Sequence, residues 1–180
     1  MLFHRVRAIL DSLGVRYALI GGWAVGLRGY VRLTTDTDFL TVDRKVLHIG
    51  VWNELVAEGI HVDPRKGDFD DPLAGVVHIG SKPDEVDVVV GKWKFEQRVI
   101  ERAEPVVFQG VPMPVPTTSD LILLKLAAGG AQDYVDAYQL LRFGPQETLV
   151  AEVASKIGDL PSDAQKLWQR LLEEITPPSP

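Results

Sequence analysis

Tyr17-Ala18-Leu19-Ile20-Gly21-Gly22-Trp23-Ala24, and then, with thirteen residues between it and Gly22, Asp36-Thr37-Asp38, form the stretch on which the reading of this chain turns. The apolar run 17–20 is short and is stopped by two glycines, after which residues 23–27 can begin a helix, so the local order is strand, glycine turn, helix. Residues 34–42 are rich in threonine and branched side chains and alternate in polarity, which predicts a second strand. Residues two apart on a strand face the same way, about 6.5 to 7 Å apart at the backbone, so Asp36 and Asp38 can converge while Thr37 points to the other side. Two like charges so placed want a cation. Oxygen ligands of this kind select Mg²⁺ or Mn²⁺, and paired carboxylates suit two ions about 3.5 to 4 Å apart that clamp the attacking and leaving oxygens of a phosphoryl displacement. Gly21 and Gly22, lacking side chains, let backbone N–H groups approach phosphate oxygens at a helix N-terminus. Each feature alone is weak, and an Asp-x-Asp pair is commonly surface decoration; their order and spacing on adjoining strands give them weight.

Working outward, a third carboxylate would complete a metal clamp. Asp87 opens the apolar run of Glu85-Val86-Asp87-Val88-Val89-Val90. A lone buried carboxylate is costly, so Asp87 is expected to face the first pair from a neighbouring strand, with Asp84 and Glu85 as nearby competitors. Lys125 sits within Leu121-Ile122-Leu123-Leu124-Lys125-Leu126-Ala127-Ala128, a helix apolar on nearly every side, and a buried ammonium there requires an anion. Asp133 and Asp136 follow on the next helix, three apart and hence on one face. Lys125 is therefore either half of a structural ion pair or a group that meets phosphate. His4, His48, His61 and His78 show no metal-ligand spacing and are read as structural.

The remaining elements follow from periodicity. Residues 2–13 make an amphipathic helix closed by Gly14, and 46–58 a helix. Strands are expected near 60–62, 76–79 and 86–90, with 63–73, rich in aspartate and proline, as an exposed loop. A helix over 94–103 precedes a hairpin of 106–108 and 111–115, whose Pro112 and Pro114 suit only an edge strand. From Thr118 on the pattern is helical, over 119–128, 132–142, 147–157 and 163–175. Strands first and helices last imply an α+β fold: a sheet domain over 1–117, a helical segment over 118–175 packed on it, and a disordered tail over 176–180.

Composition bounds the function. With 180 residues, 46% apolar and 24% charged, the chain can bury a core without disulfides or structural metal. It has no cysteine, which removes thiol nucleophiles, disulfide frameworks, cysteine zinc sites and iron–sulfur clusters together. No apolar stretch approaches the ~20 residues of a bilayer span, and residues 1–10 do not read as a signal peptide, so a cytoplasmic protein is expected. The net charge of -6 argues against broad electrostatic nucleic-acid binding. Residues 1–35 nonetheless carry Arg5, Arg7, Arg16, Arg28 and Arg32 against Asp11 alone, a basic patch on an acidic body.

Taken together, these residues resemble the nucleotidyltransferase superfamily that includes DNA polymerase beta. Its signature is Gly-Gly or Gly-Ser, a spacer of about this size, Asp-x-Asp, and a third Asp on a later strand. Leu124-Lys125-Leu126-Ala127-Ala128, Gln132-Asp133 and Asp136 look like the lysine and aspartate motifs of AbiEii-type nucleotidyltransferases, toxins of bacterial abortive-infection systems. Gly21-Gly22-Trp23-Ala24 is also similar to aminoglycoside and lincosamide nucleotidyltransferases. The resemblance covers roughly residues 15–142. It implies a mixed sheet flanked by helices and transfer of a nucleoside monophosphate from a nucleoside triphosphate (NTP) to an acceptor hydroxyl, releasing pyrophosphate. It implies that Asp36 and Asp38 hold Mg²⁺ or Mn²⁺, and that Asp87 binds the ion beside the attacking hydroxyl and helps deprotonate it. The Gly21-Gly22 turn would cradle the triphosphate, and Arg32, Lys125 and Asp133 would complete the nucleotide site. The acceptor would be an RNA or tRNA 3′ end, a protein or a small molecule, and a toxin would have a cognate antitoxin. The alternative is a noncatalytic member, a binding or antitoxin-like partner, which the Gly129-Gly130-Ala131 run favours because relatives often place a basic residue there.

Overall fold

The computed structural model of the chain describes residues 1–175, and the tail expected to be disordered, 176–180, lies outside them. The five strands β1 (Tyr17–Ile20), β2 (Thr37–Thr41), β3 (Val62–Lys66), β4 (Gly75–Ser81) and β5 (Asp84–Val90) form one mixed sheet in the order β1-β2-β5-β4-β3. Only the β2·β5 pair is parallel.

Register explains what the sheet does. Phe39 of β2, Val88 of β5 and Val77 of β4 lie side by side, and all three are fully buried. Neighbouring side chains on a strand point to opposite faces, so the rung one residue away belongs to the other side of the sheet. That rung is Ile20, Asp38, Asp87, His78 and Asp63, one residue from each strand. The apolar side is covered partly by α1 (Leu2–Ser12), which contacts β5 and buries Leu2, Phe3, Val6, Ile9 and Leu10. Each such side chain, taken out of water, contributes about 1.5 to 3 kcal/mol.

The glycine turn after β1 leads directly into α2 (Gly21–Leu27), which packs on β1 and β2. A short α3 (Asn53–Ala57) and α4 (Lys94–Arg102) belong to the connections, and α4 contacts β2. β6 (Glu104–Phe108) and β7 (Val111–Val115) form a separate two-stranded sheet. In such a ribbon both strands are edges, which is why Pro105, Pro112 and Pro114 are tolerated. After it come α5 (Thr118–Ala128), α6 (Ala131–Phe143), α7 (Gln146–Ala154) and α8 (Ser162–Ile175). The Thr117 hydroxyl accepts a hydrogen bond from the Asp120 N–H and starts α5, and Gly129, at φ +69°, ends it. No helix among the described residues is long and apolar enough to cross a membrane.

Three expectations are corrected. The helix over 46–58 is instead two 3-10 turns, Arg44–Leu47 and Ile49–Trp52, followed by α3. The Val46 carbonyl, which a continuous helix would offer to the Gly50 N–H, accepts the buried Trp52 Nε1–H at 2.8 Å. The exposed loop begins only at Gly67, because 62–66 pair with β4 as an edge strand that needs no donor from Pro64. The second strand is shorter than 34–42: β1 has already turned into α2 and the β5 ladder begins at the Thr37–Val86 pair, so Asp36 precedes the strand.

Candidate active site

Asp38 and Asp87 occupy directly paired positions on the parallel strands β2 and β5, on the face away from Phe39 and Val88. Asp36, half-buried, accepts a 2.7 Å hydrogen bond from the Thr35 hydroxyl. Burial, then the charges of Asp87 and Asp36, push the Asp38 carboxyl up to about 6, against the opposing pull of Lys125 and Arg32. Asp38 therefore feels both other predicted carboxylates and both predicted cations, although the three carboxylates do not bring one ligand atom each within 4.8 Å of one another. Mutual repulsion of this kind is relieved by a divalent ion, and the donor set, all carboxylate oxygen, fits Mg²⁺ or Mn²⁺.

Gly21 lies under this cluster. At φ +67° it occupies the left-handed region, and a Cβ there would sit 1.9 Å from Asp38 Oδ2. Any side chain at this position would expel the carboxylate. Gly22 is closed in from the other side, where a Cβ would meet the Thr34 side chain at 2.7 Å and Arg32 Nη1 at 3.1 Å. Gly22 is thus required for the loop carrying Arg32 and Thr34 to close over the start of α2, and Gly21 for Asp38 to keep its place.

Lys125 has only 11% of its side chain exposed, and its ammonium donates to Asp133 Oδ1 at 2.7 Å and lies 2.9 Å from Asp136 Oδ2. Asp136, fully buried, also receives Arg32 through Nε at 2.9 Å and Nη2 at 3.1 Å, and Gln132 Nε2 at 2.9 Å. Burial raises the Asp136 pKa, but hydrogen bonds from Arg32, Lys125 and Gln132 outweigh it and leave the group below the ordinary carboxylate range. Asp136 is thus the anchor that aims both cations, beside the Asp133 that the sequence reading put with Lys125.

Beyond the carboxylates along the same face, Leu40 and Val89 form part of the floor of a cavity of about 370 Å³. Leu124 and Ala128 of α5 face it from above, Trp93 and Pro72 stand at its side, and Gly21 and Lys125 border it. The Trp93 indole, half exposed, is held by its Nε1–H on the Pro72 carbonyl at 3.0 Å. A mostly apolar cavity beside convergent charged groups is the ordinary form of a small-molecule site.

One residue read as structural touches this cluster. His78 Nδ1 lies 2.7 Å from Asp87 Oδ1. The signal lay in hairpin register: Ser81 pairs with Asp84 across the β4–β5 turn, so His78 must oppose Asp87. Of the other acids near Asp87, Asp84 is spent accepting the Leu2 N–H, while Glu85 shares the face of Asp87.

Such a mixed sheet, with acidic residues on one face and helices around it, defines the nucleotidyltransferase fold, and comparison with solved structures bears this out. The solution structure of the antibiotic-resistance factor ANT(2'')-Ia matches 96% of this chain and 94% of its own with a TM-score of 0.58 at 16% identity. The crystal structure of ANT(2'')-Ia in complex with adenylyl-2''-tobramycin matches 86% and 94% with a TM-score of 0.55 at 19% identity. Lincosamide antibiotic adenylyltransferase LnuA, lincomycin-bound, gives a TM-score of 0.49 at 12% identity over 79% of this chain and 96% of its own. No family model matches the chain, and no curated protein matches it.

Proposed function

We propose that the chain is a nucleotidyltransferase that moves a nucleoside monophosphate from an NTP to an acceptor hydroxyl. The observation that carries this reading is the pairing of Asp38 with Asp87 on parallel strands directly above a glycine that admits no side chain. Asp36, Asp38 and Asp87 would hold Mg²⁺ or Mn²⁺, which supplies charge neutralisation at the transferred phosphorus and lowers the pKa of the attacking hydroxyl. The Gly21-Gly22 backbone would receive the triphosphate, and Lys125 and Arg32, aimed by Asp136, would offset its charge. Asp133, on the Lys125 ammonium, would yield it in part to a phosphate oxygen. Asp87 would take the proton of the acceptor hydroxyl.

The finer reading, an AbiEii-type toxin with a cognate antitoxin acting in the cytoplasm, is supported by the Lys125, Asp133 and Asp136 motif. The cavity bordered by Gly21 and Lys125 supports a ring-bearing nucleoside or small acceptor as its occupant. We also place the boundary between the sheet domain and the helical segment at 117/118, where the chain passes from β7 into α5.

The test is to incubate the protein with each labelled NTP, Mg²⁺ or Mn²⁺ and a cell lysate, and to follow label into RNA, protein or metabolites. Label should enter one fraction, and Asp38→Asn should abolish it. In parallel, NTP with a divalent ion at 100 times its dissociation constant should add about 2.7 kcal/mol to stability. A protein whose melting is unmoved by every NTP and ion, and which labels nothing, is no nucleotidyltransferase.

A further inference from the structure

The rung that carries Asp38 and Asp87 continues across β4 to His78, and this continuation is unused by the transfer chemistry. Asp87 stands between two neighbours in register, a carboxylate on one side and an imidazole on the other. Glu85, two residues before Asp87 on the same strand, faces the same way. One ligand atom each from His78, Glu85 and Asp87 lies within 4.8 Å of the other two, and all three side chains are only half-buried, so an ion can reach them from solvent.

We propose that His78, Glu85 and Asp87 form a second binding site, for a divalent first-row transition-metal ion, on the far side of Asp87 from Asp38. The donor set decides the class of ion. Mg²⁺ takes oxygen ligands in a near-ideal octahedron and has no use for an imidazole, whereas Mn²⁺ and Zn²⁺ accept nitrogen and carboxylate together. Geometry fits as well. Metal–ligand bonds of about 2.0 to 2.2 Å put adjacent ligand atoms about 3 Å apart, and the His78–Asp87 contact is already 2.7 Å. Two carboxylates and a neutral imidazole balance a doubly charged ion. All three ligands stand on paired strands, one from β4 and two from β5, so their relative positions are set by the sheet ladder rather than by a loop. Among the described residues the Asp87 side chain makes no hydrogen bond other than that with His78, which leaves its second oxygen for the Asp38 side. Asp87 would thus be shared between two ions of different kinds.

The site is tested on the full chain without nucleotide, by titrating Mn²⁺ and following the loss of the free-ion electron paramagnetic resonance signal, with Zn²⁺ and Mg²⁺ as competitors. Wild type should bind Mn²⁺, Zn²⁺ should displace it, and millimolar Mg²⁺ should leave one Mn²⁺ in place. His78→Ala and Glu85→Gln should each weaken that retained Mn²⁺ by 10- to 100-fold, and Asp38→Asn should keep it. Glu85→Gln preserves the shape of its side chain, so it stands as the decisive variant should His78→Ala fail to fold. Wild-type-like Mn²⁺ binding in folded His78→Ala or in Glu85→Gln, complete displacement by Mg²⁺, or no Mn²⁺ binding at all would overturn the proposal. The readout contains no NTP, so failure of nucleotidyl transfer leaves it intact.

Discussion

Asp38 is held where its charge is unwelcome without a cation. Its folded-state pKa of about 6 lies above the ordinary 3.8, chiefly through burial and then through Asp87 and Asp36. The contribution to stability is therefore full below about pH 4 and is lost as pH rises through 6, because the folded state then carries an ionised carboxylate beside two others. In chelator, Asp38→Asn should stabilise the protein by about 1 to 3 kcal/mol near pH 7.5 and change little near pH 4. Thermal melts of both proteins at the two pH values decide it, and a variant that melts below wild type near pH 7.5 refutes the account. Asp136 behaves in the opposite sense. Its pKa is depressed, so the stability it contributes is present at neutral pH and disappears only as acid protonates it below the usual carboxylate range. One carboxylate is thus left with its charge uncompensated, while the other is already satisfied by Arg32, Lys125 and Gln132.

At the scale of elements, the strand–turn–helix formed by β1, Gly21-Gly22 and α2 turns a short sequence motif into a shaped surface. Gly21→Ala places a methyl group on Asp38 Oδ2 and demands a left-handed backbone of a residue with a Cβ. That conformation alone costs about 1 to 2 kcal/mol, and displacement of Asp38 should abolish NTP binding. Gly26, in the same helix, has nothing within 4 Å of its Cβ position, so Gly26→Ala should stabilise by about 0.5 to 1 kcal/mol and leave NTP binding unchanged. Calorimetric titration and melting of the pair check both halves; a Gly21→Ala protein that binds NTP normally refutes the first. The Gly-Gly motif and the alternation of β5 were legible in the sequence because they are local. The β4–β5 register was legible in principle, from the turn at 82–83, and would have brought His78 to Asp87. The break of the 46–58 helix was not, because it depends on where the Trp52 indole finds an acceptor.

Across the whole molecule, a second buried carboxylate holds the helices together. Asp120, fully buried at the start of α5, accepts Arg102 of α4 through Nε at 2.9 Å and Nη2 at 2.7 Å, and Lys156 at 3.3 Å. Arg102 and Lys156 keep 38% and 25% of their side chains exposed and are partly solvated once their partner is gone, so Asp120→Ala should cost about 1.5 to 3 kcal/mol. Five residues, about 7.5 Å of helix rise, separate Asp120 from Lys125. In a folded Asp120→Ala protein the NTP dissociation constant should therefore remain within about twofold of wild type. Chemical denaturation and calorimetry give both numbers, and a large loss of affinity with little loss of stability would show that Asp120 belongs to the site.

The sequence by itself determined the order of strands and helices, the glycine turn, and the candidacy of Asp36, Asp38, Asp87 and Lys125, because these rest on periodicity, backbone freedom and the cost of burying charge. Tertiary structure alone decided that Asp38 and Asp87 are direct neighbours across a parallel pair, a contact no local pattern encodes, since parallel strands are joined through distant chain. It also decided that Asp136 rather than Asp133 is the buried anchor of Arg32 and Lys125. Both aspartates share one face of α6, and only the packing of that helix against α5 and the 28–36 loop closes water away from one of them.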